Sequence, residues 1–265
     1  GIAVDLDALT DAYLRSLDLS RAPPGMALLT EIVRRHVAQY AFASLGPRLG
    51  DPLPLDPAAL YERIVLRRRG GYCFEHNGLL YAVLQQLGYA VQLRLARVLN
   101  NRDVMPGLTH RISELELDGR HWLVDVGFGA LGPPLPVALD GRHCVRNGRA
   151  YWIAAGLPGE WLLQTLHQGA PYTLYRFERS RYSQADCELG HFYSHRHPDA
   201  TFVNHLVASR IDDHCIYALR NRSHSVIDAN GETVSPIDSA AQLHTLLTTV
   251  YGLHLSTEES ARLFG

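Results

Sequence analysis

Hydrophobic residues in the first third of the chain recur three or four positions apart. One apolar stripe runs from Leu6 to Leu17 and a second from Leu28 to Val37, with Pro23-Pro24 between them. This period places apolar side chains on one face of each segment, and it therefore predicts two amphipathic helices.

The pattern predicts two further helices before the middle of the chain. Asp56 followed by Pro57 is typical of a helix N-terminus and predicts a short helix through about residue 66. Apolar residues at helical spacing then predict a helix over residues 74–87. Gly88 is the residue type that commonly ends a helix.

The middle of the chain changes to a period of two. Val91, Leu93 and Leu95 alternate with polar neighbours, which is the pattern of a half-buried strand. Runs of β-branched and aromatic residues predict further strands at 112–117, 122–126, 151–155, 161–166 and 172–177.

The last third of the chain is mixed. Its pattern predicts a helix over 183–195, a hairpin of 214–219 and 223–227, and a helix over 238–251. Ser256 and Glu259 have the spacing of a capping box, which predicts a final short helix. Helices, then strands, then a mixed segment indicate the α+β class.

The composition is that of an ordinary soluble globular protein. The 265 residues are 46% hydrophobic and 20% charged, with a net charge of -2. This balance gives no reason to expect binding to nucleic acid or to an anionic membrane. Apolar runs are shorter than the ~20 residues that cross a bilayer, and residues 1–11 lack a signal-peptide pattern. We therefore expect a cytoplasmic protein.

Four cysteines are present, and their spacing contains no CxxC motif. In a reducing compartment we expect four free thiols, of which Cys73 has surroundings that suggest reactivity. Gly70-Gly71 permits a tight turn, so Cys73 is expected at the positive end of the following helix, which favours the thiolate. The alternative is a buried structural cysteine, which is the commoner role of a lone cysteine.

A predicted hairpin brings a histidine and an aspartate together. Asp118-Gly119 between two strand-like runs is a strong signal for a two-residue turn. That turn sets Leu117 opposite Arg120, and the register places His110 and Asp125 on the same face. A buried aspartate needs a partner, so we predict a contact between its carboxylate and the imidazole.

Cysteine, histidine and aspartate in this arrangement describe an activated thiol nucleophile. The alternative is an aspartate that caps a loop and a core histidine that is hydrogen-bonded locally, since the chain has 14 histidines.

Two other motifs carry less weight. The glycines of 127–132 fit a dinucleotide fingerprint, but the prolines that follow prevent the helix it needs. The histidines of 191–197 lack a third ligand with clear spacing, so no metal site is predicted.

Three parts of the sequence together resemble the arylamine N-acetyltransferase family. They are the run 69–75 (RGGYCFE), the Thr109-His110 pair and the run 122–129 (WLVDVGFG). The resemblance implies a Cys-His-Asp triad like that of cysteine proteases.

The resemblance also implies three structural units. An N-terminal helical bundle over 1–88 carries the nucleophile, a central β-barrel over 89–182 carries the histidine and the aspartate, and a C-terminal α/β lid covers 183–265. The site roles implied by position are acyl acceptor for Cys73, base for His110 and orienting acid for Asp125. Residues implied to face acyl-CoA are Thr109, Gly127, Phe128 and Gly129, and those implied to contact the acceptor amine are Phe42, Tyr72 and Phe202.

The chain departs from the family after the second helix. The family usually has a Pro-Phe-Glu-Asn-Leu run, and this chain has Phe42 followed by Ala43 and Ser44 in place of the acid and the amide. The family glutamate is implied to brace the arginine before the glycines, which is Arg69 here. The change leaves open how the Cys73 turn is supported and how the acceptor pocket is shaped.

The resemblance implies ping-pong transfer of an acetyl group from acetyl-CoA to an aromatic amine, hydrazine or hydroxylamine, as in xenobiotic metabolism. Acetyl-CoA is then a cosubstrate, and no permanently bound cofactor is expected. Three alternatives remain: a specialised amide synthase of the same family that forms macrolactams, a cysteine hydrolase that uses the same triad, and a binding protein with a vestigial site.

Overall fold

The structure is a computed structural model that describes residues 4–265. Residues 1–3 of the predicted unit 1–88 lie outside the described residues. The helices are α1 (Leu6–Ser16), α2 (Met26–Gln39), α3 (Leu45–Leu49), α4 (Pro57–Tyr61), α5 (Cys73–Gln86), α6 (Gln184–Arg196), α7 (Thr201–Asn204), α8 (Ala240–Thr249) and α9 (Thr257–Phe264). A π-helical turn, Glu62–Leu66, continues α4. None of the helices within 4–265 combines the length and the apolar character that crossing a membrane requires.

The strands follow the predicted order, with several short additions. They are β1 (Phe42–Ala43), β2 (Ala90–Val98), β3 (His110–Leu117), β4 (Arg120–Val124), β5 (Val137–Ala138), β6 (Cys144–Arg146), β7 (Arg149–Ala155), β8 (Glu160–His167), β9 (Ala170–Glu178), β10 (Val207–Ile211), β11 (Ile216–Arg220), β12 (Ser223–Asp228) and β13 (Gly231–Pro236). The sequence pattern did not indicate β10 and β13, because polar residues interrupt β10 and every residue of β13 is exposed.

Two antiparallel sheets organise these strands. The larger has eight strands in the order β5-β4-β3-β2-β9-β8-β7-β6. Its end strand β5 approaches β7, so the sheet curls into a nearly closed barrel. The smaller has five strands in the order β1-β10-β11-β12-β13. The helices, the curled barrel and the second antiparallel sheet together confirm the predicted α+β class.

The parts of the chain share a core. β1, from the N-terminal part of the chain, pairs with β10 near its C-terminal end. One hydrophobic cluster joins side chains of α1, α2 and α5 to side chains of β2, β3 and β10. The boundaries at residues 88 and 182 stay a prediction.

Helix α5 lies inside this core and carries polar side chains into it. Glu75, His76 and Asn77 are all buried in its first turns. Buried polar groups are costly unless they are hydrogen-bonded, so each of these side chains must find a partner from another element.

His76 belongs to a buried chain of hydrogen bonds in the helical layer. Its Nε2 lies 3.0 Å from the carbonyl oxygen of Ala41, so Nε2 carries the hydrogen. Nδ1 of His76 therefore accepts from Nε2 of His36 at 2.8 Å, and Nδ1 of His36 accepts from the Tyr13 hydroxyl at 2.7 Å. This chain requires a neutral His76, and a neutral His36 is the form that accepts from the Tyr13 hydroxyl.

We expect acid to destabilise the fold through these two histidines. Burial lowers the pKa of His76 to about 4, and burial together with repulsion from His76 lowers the pKa of His36. The unfolded chain takes up protons near a pKa of about 6.5, whereas the folded chain does not. The free energy of unfolding should therefore fall as pH drops from about 6.5 towards 4, by about 1.4 kcal/mol per pH unit for each extra proton.

Denaturant titrations at pH 7, 6 and 5 measure this slope. His76→Gln keeps one donor and one acceptor but cannot titrate. The slope of its free energy of unfolding against pH should therefore be smaller by the contribution of about one proton. His214→Gln removes an exposed histidine and is the matched control. An unchanged slope in His76→Gln would contradict the assignment.

Candidate active site

Cys73 is the first residue of α5, directly after the glycine turn. Gly70 has a φ of +71°, a conformation that favours glycine, and a Cβ there would lie 2.8 Å from the Cβ of Ala43. Both backbone and space therefore require glycine at this position. The thiol of Cys73 is buried, and its Sγ lies 3.4 Å from the carbonyl oxygen of Thr109.

The turn before Cys73 is held by the C-terminal helix. Arg69 Nη1 donates to Oε1 of Glu259 at 2.9 Å, and Nη2 donates to Oε2 at 2.7 Å. Nη2 also donates to Asp51 at 3.2 Å. Glu259 lies in α9 and therefore does here what the family glutamate, replaced by Ala43, is implied to do. The hydrogen bond from Arg69 is the main cause that lowers the pKa of Glu259 to about 2.

The two replaced positions have other roles in this chain. Ser44 Oγ donates to the carbonyl oxygen of His205 at 2.9 Å and accepts from the Val207 N–H at 2.8 Å, so it ties the start of α3 to β10. Ala43 leaves room for the close approach of Gly70. The departure from the family run thus goes with a different set of supporting contacts.

Glu75 braces the same turn from inside the helix. Its Oε1 accepts from the Tyr72 N–H at 3.2 Å, and its Oε2 lies 3.2 Å from Nε of Arg63. Burial raises the pKa of Glu75 to about 7, although the charge of Arg63 opposes the shift.

The hairpin has the predicted register. Leu117 pairs with Arg120, and both residues of the Asp118-Gly119 turn have positive φ. The ladder ends at Val124, so Asp125 lies just beyond β4 rather than inside the strand as predicted. His110 Nε2 still donates to Oδ2 of Asp125 at 2.6 Å, so the predicted imidazole–carboxylate contact is confirmed.

Asp125 receives three donors besides His110. Asn77 Nδ2 and the Gly127 N–H donate to its Oδ1, both at 2.9 Å, and the Tyr175 hydroxyl donates to its Oδ2 at 2.9 Å. These contacts hold a fully buried carboxylate in one orientation.

Sequence reasoning missed Asn77 and Tyr175 as members of this site. Asn77 stands four residues after Cys73, on the same face of α5, and it is polar in a largely apolar helix; those two signs could have indicated it. For Tyr175, the sequence pattern predicts only a place in the strand over 172–177. Tyr175 reaches the site because β9 pairs with β2, a long-range pairing that no local pattern encodes.

The electrostatics of the pair favour a charged imidazole. Burial by itself would lower the pKa of His110, but the charge and hydrogen bond of Asp125, with a smaller effect of Cys73, raise it. Burial would raise the pKa of Asp125, but the charge and hydrogen bond of His110 and the donors Asn77 and Gly127 lower it. Nε2 of His110 is occupied by Asp125, so Nδ1 is the nitrogen left for a proton from Cys73.

Cys73 and His110 open onto a cleft of about 370 Å³. Of the residues expected to face acyl-CoA, Thr109, Gly127 and Phe128 line this cleft, whereas Gly129 lines a smaller cavity beside it. A Cβ on Gly127 would lie 2.8 Å from the Cα of Cys73, so its backbone packs directly against Cys73.

The residues expected to contact the acceptor are placed differently from one another. Phe42 and Phe202 line the cleft, with ring centroids 5.5 Å apart. Tyr72 is fully buried behind Phe202, and its hydroxyl donates to Nδ1 of His191. Tyr72 therefore supports the aromatic wall of the cleft from behind.

The motifs that carried less weight have local structural roles. Nε2 of His191 donates to the carbonyl oxygen of Leu53 at 2.8 Å, which uses its second nitrogen. Within residues 4–265, no group of three or more His, Cys, Asp or Glu residues is placed to hold a metal ion. The glycine run 127–132 leads through a loop into β5 and not into a helix.

Comparisons with known proteins agree with this fold. The family model described as N-acetyltransferase matches residues 25–260. An arylamine N-acetyltransferase of Mycolicibacterium smegmatis is 34% identical over 261 residues, covering 92% of this chain and 91% of that protein. One from Escherichia coli K12 is 32% identical over 225 residues, covering 83% and 79%.

Solved structures agree as well. The arylamine N-acetyltransferase of Mycobacterium tuberculosis superposes with a TM-score of 0.90 at 32% identity, covering 98% of this chain and 100% of that one. The Mycobacterium marinum enzyme in complex with CoA gives a TM-score of 0.91 at 29% identity, covering 96% and 98%. The fold and the matches define an acetyltransferase enzyme. The chain belongs to the arylamine N-acetyltransferase family.

Proposed function

We propose that this enzyme transfers an acetyl group from acetyl-CoA to an aromatic amine, hydrazine or hydroxylamine through an acetyl-cysteine at Cys73. One observation carries the proposal: His110, whose imidazole is hydrogen-bonded to Asp125, and Cys73 line the same cleft. Nucleophile, base and orienting acid in this arrangement are the parts that thiol catalysis needs.

In the first half-reaction, His110 accepts the thiol proton of Cys73 at Nδ1. The thiolate then forms a bond to the carbonyl carbon of the thioester, and the bond from that carbon to the sulfur of CoA breaks. The imidazolium returns the proton to the CoA thiolate. Asp125 stabilises the imidazolium throughout, which agrees with the raised pKa of His110.

In the second half-reaction, the amine nitrogen attacks the acetyl-cysteine, His110 accepts the proton of the amine, and the Cys73 thiolate leaves. A thioester exchange is nearly balanced in free energy, so formation of the amide drives the cycle forward. The acceptor must be a neutral amine, because a protonated amine has no lone pair. The rings of Phe42 and Phe202, which contact each other edge to face in the cleft wall, suit an aromatic acceptor.

We also propose roles for the three units. Residues 1–88 supply the nucleophile, and residues 89–182 supply His110 and Asp125. Residues 183–265 act as a lid, since Tyr193, Ser194 and Phe202 form one wall of the cleft. Thr109, Gly127 and Phe128 contact the acyl donor, and Gly129 acts only indirectly.

Incubation with acetyl-CoA followed by peptide mass spectrometry tests the proposal. We expect one acetyl group on Cys73 and its release when an arylamine is added. Cys144, Cys187 and Cys215 are internal controls and should stay unmodified. Peptide or amide cleavage without an adduct would favour the hydrolase instead. An adduct that is discharged only by a tethered, intramolecular amine would favour the macrolactam-forming amide synthase.

A further inference from the structure

A second cavity, of about 590 Å³, lies along α5 and shares no lining residue with the cleft at Cys73. Its walls come from α1, α4, α5, β2, β3, the start of α6 and the loops that precede α4 and α6. They include the apolar side chains of Leu55, Leu93 and Tyr182 and the guanidinium groups of Arg94, Arg111 and Arg181. The catalytic residues contribute nothing to this cavity, so it is open to a different ligand.

Arg111 differs from the other buried arginines of the described chain. Arg63 and Arg69 each pair with carboxylates at 2.7–3.3 Å. The residue Arg111 is only 4% exposed, yet within residues 4–265 no carboxylate lies within ion-pair distance of it. Nε is buried without a hydrogen-bond partner in all three of these arginines within the described chain, but the Nη atoms of Arg63 and Arg69 donate to carboxylates. The difference therefore lies in the Nη atoms of Arg111.

The guanidinium of Arg111 lies at the cavity wall. Its Cζ is 5.1 Å from the centroid of the Tyr81 ring, and its Nη1 lies 3.6 Å from the position of a Cβ on Gly78. Tyr81 and Gly78 both line the cavity. A cation over an aromatic ring recovers part of the cost of burying the charge, but it satisfies none of the N–H donors.

The surrounding charges do not neutralise Arg111. Arg94 is already paired with Glu114 at 3.2 Å. Asp56, on the cavity wall, accepts the Ala59 N–H as the cap of α4. Glu188 is exposed, and the wall holds Arg181 as a further cation.

The backbone of Arg111 is held in place. Arg111 pairs with Leu95 in the sheet, and the carbonyl oxygen of Arg111 accepts from Nδ2 of Asn77 at 2.6 Å. The guanidinium is therefore presented from a rigid strand, which lowers the entropic cost of binding.

We propose that this cavity binds a small organic carboxylate, with the carboxylate on the guanidinium of Arg111 and the apolar body of the ligand against Leu55, Leu93 and Tyr182. A planar guanidinium matches a carboxylate with two parallel hydrogen bonds. The lining residues include three arginines and two carboxylic acids, a net charge of +1, beside the apolar side chains, and this balance suits a ligand with one carboxylate and an apolar body. An inorganic anion would leave the apolar walls uncovered.

Calorimetric titration with benzoate tests the site, and the neutral isostere benzamide is the matched ligand control. Cys73 is first alkylated with iodoacetamide, so that acyl transfer plays no part in the measurement, and the Arg111 variants distinguish binding in this cavity from binding in the catalytic cleft. We expect benzoate to bind at least tenfold more tightly than benzamide or inorganic phosphate. Arg111→Met should weaken benzoate binding at least tenfold, whereas Arg102→Gln, which removes an exposed arginine, should leave it unchanged.

Arg111→Lys provides a second variant in case the methionine variant does not fold. Lysine keeps the charge but not the two-pronged geometry. Benzoate should therefore bind to Arg111→Lys several-fold more weakly than to the protein with Arg111. Equal binding of benzoate and benzamide would overturn the proposal, as would equal binding of benzoate and phosphate or benzoate affinity unchanged in both Arg111 variants.

Discussion

Asp125→Asn is expected to reduce acetylation of Cys73 by roughly 10³–10⁴-fold, in line with loss of the orienting acid in other catalytic triads. The carboxylate accepts from four donors, two at each oxygen. An amide accepts at one oxygen only and places an N–H₂ group against donors on the other side. His110 then loses either its orientation or the charge that raises its pKa.

The rate of acetyl-cysteine formation, measured by rapid mixing with acetyl-CoA and mass spectrometry, is the direct measurement. Asp118→Asn is the matched control, because it makes the same chemical change in the same hairpin at a positive-φ turn position that asparagine tolerates. Circular dichroism and thermal unfolding establish that Asp125→Asn is folded. A folded Asp125→Asn enzyme that keeps half of the activity would refute the orienting role.

Glu259→Gln is expected to slow acetylation of Cys73 at least tenfold, although Glu259 is far from the reacting atoms in sequence. Arg69 would keep Asp51 but lose a charged two-pronged partner, so the turn that places Cys73 would loosen. Because the hydrogen bond from Arg69 lowers the pKa of Glu259 to about 2, the carboxylate is charged throughout the range of assay. The factor by which Glu259→Gln slows acetylation of Cys73 should therefore be equal at pH 6 and pH 8.

Glu258→Gln is the control for this positioning role. Glu258 precedes Glu259 in α9 and is exposed. The acetylation rate of Glu258→Gln should therefore match that of the parent enzyme. For Glu259→Gln the loss should lie in the acetylation rate constant, with little change in the concentration of acetyl-CoA that gives half the maximal rate. A merely destabilised fold would instead show a normal rate constant with a smaller active fraction. A normal rate constant would therefore exclude positioning by Glu259.

Local features of the site follow directly from the sequence. The helix start at Cys73, the capping box of Ser256 with Glu259 and the register of the 118–119 turn depend on residues close together in the chain. Their geometry comes from backbone conformation and short-range hydrogen bonds, which residue type and spacing determine. The His110–Asp125 contact could be predicted for that reason, even though the strand itself ends one residue before Asp125.

Other features depend on how distant segments pack. The partner of Arg69 is 190 residues away, and Tyr175 is 50 residues from Asp125. Glu259 could be assigned from the sequence only as part of a helix cap, yet its carboxylate serves both the cap and Arg69. Nothing near Arg111 in the sequence indicates that this arginine has no carboxylate partner among residues 4–265.

The sequence by itself determined the class of fold, the turn that carries Cys73 and the face shared by His110 and Asp125, because period, turn chemistry and capping act over a few residues. Only the tertiary structure decided which side chains complete and support the site and where a second cavity opens. Those contacts join segments that meet only when the sheets and helices pack, and the free energy that selects them comes from burial of the whole core.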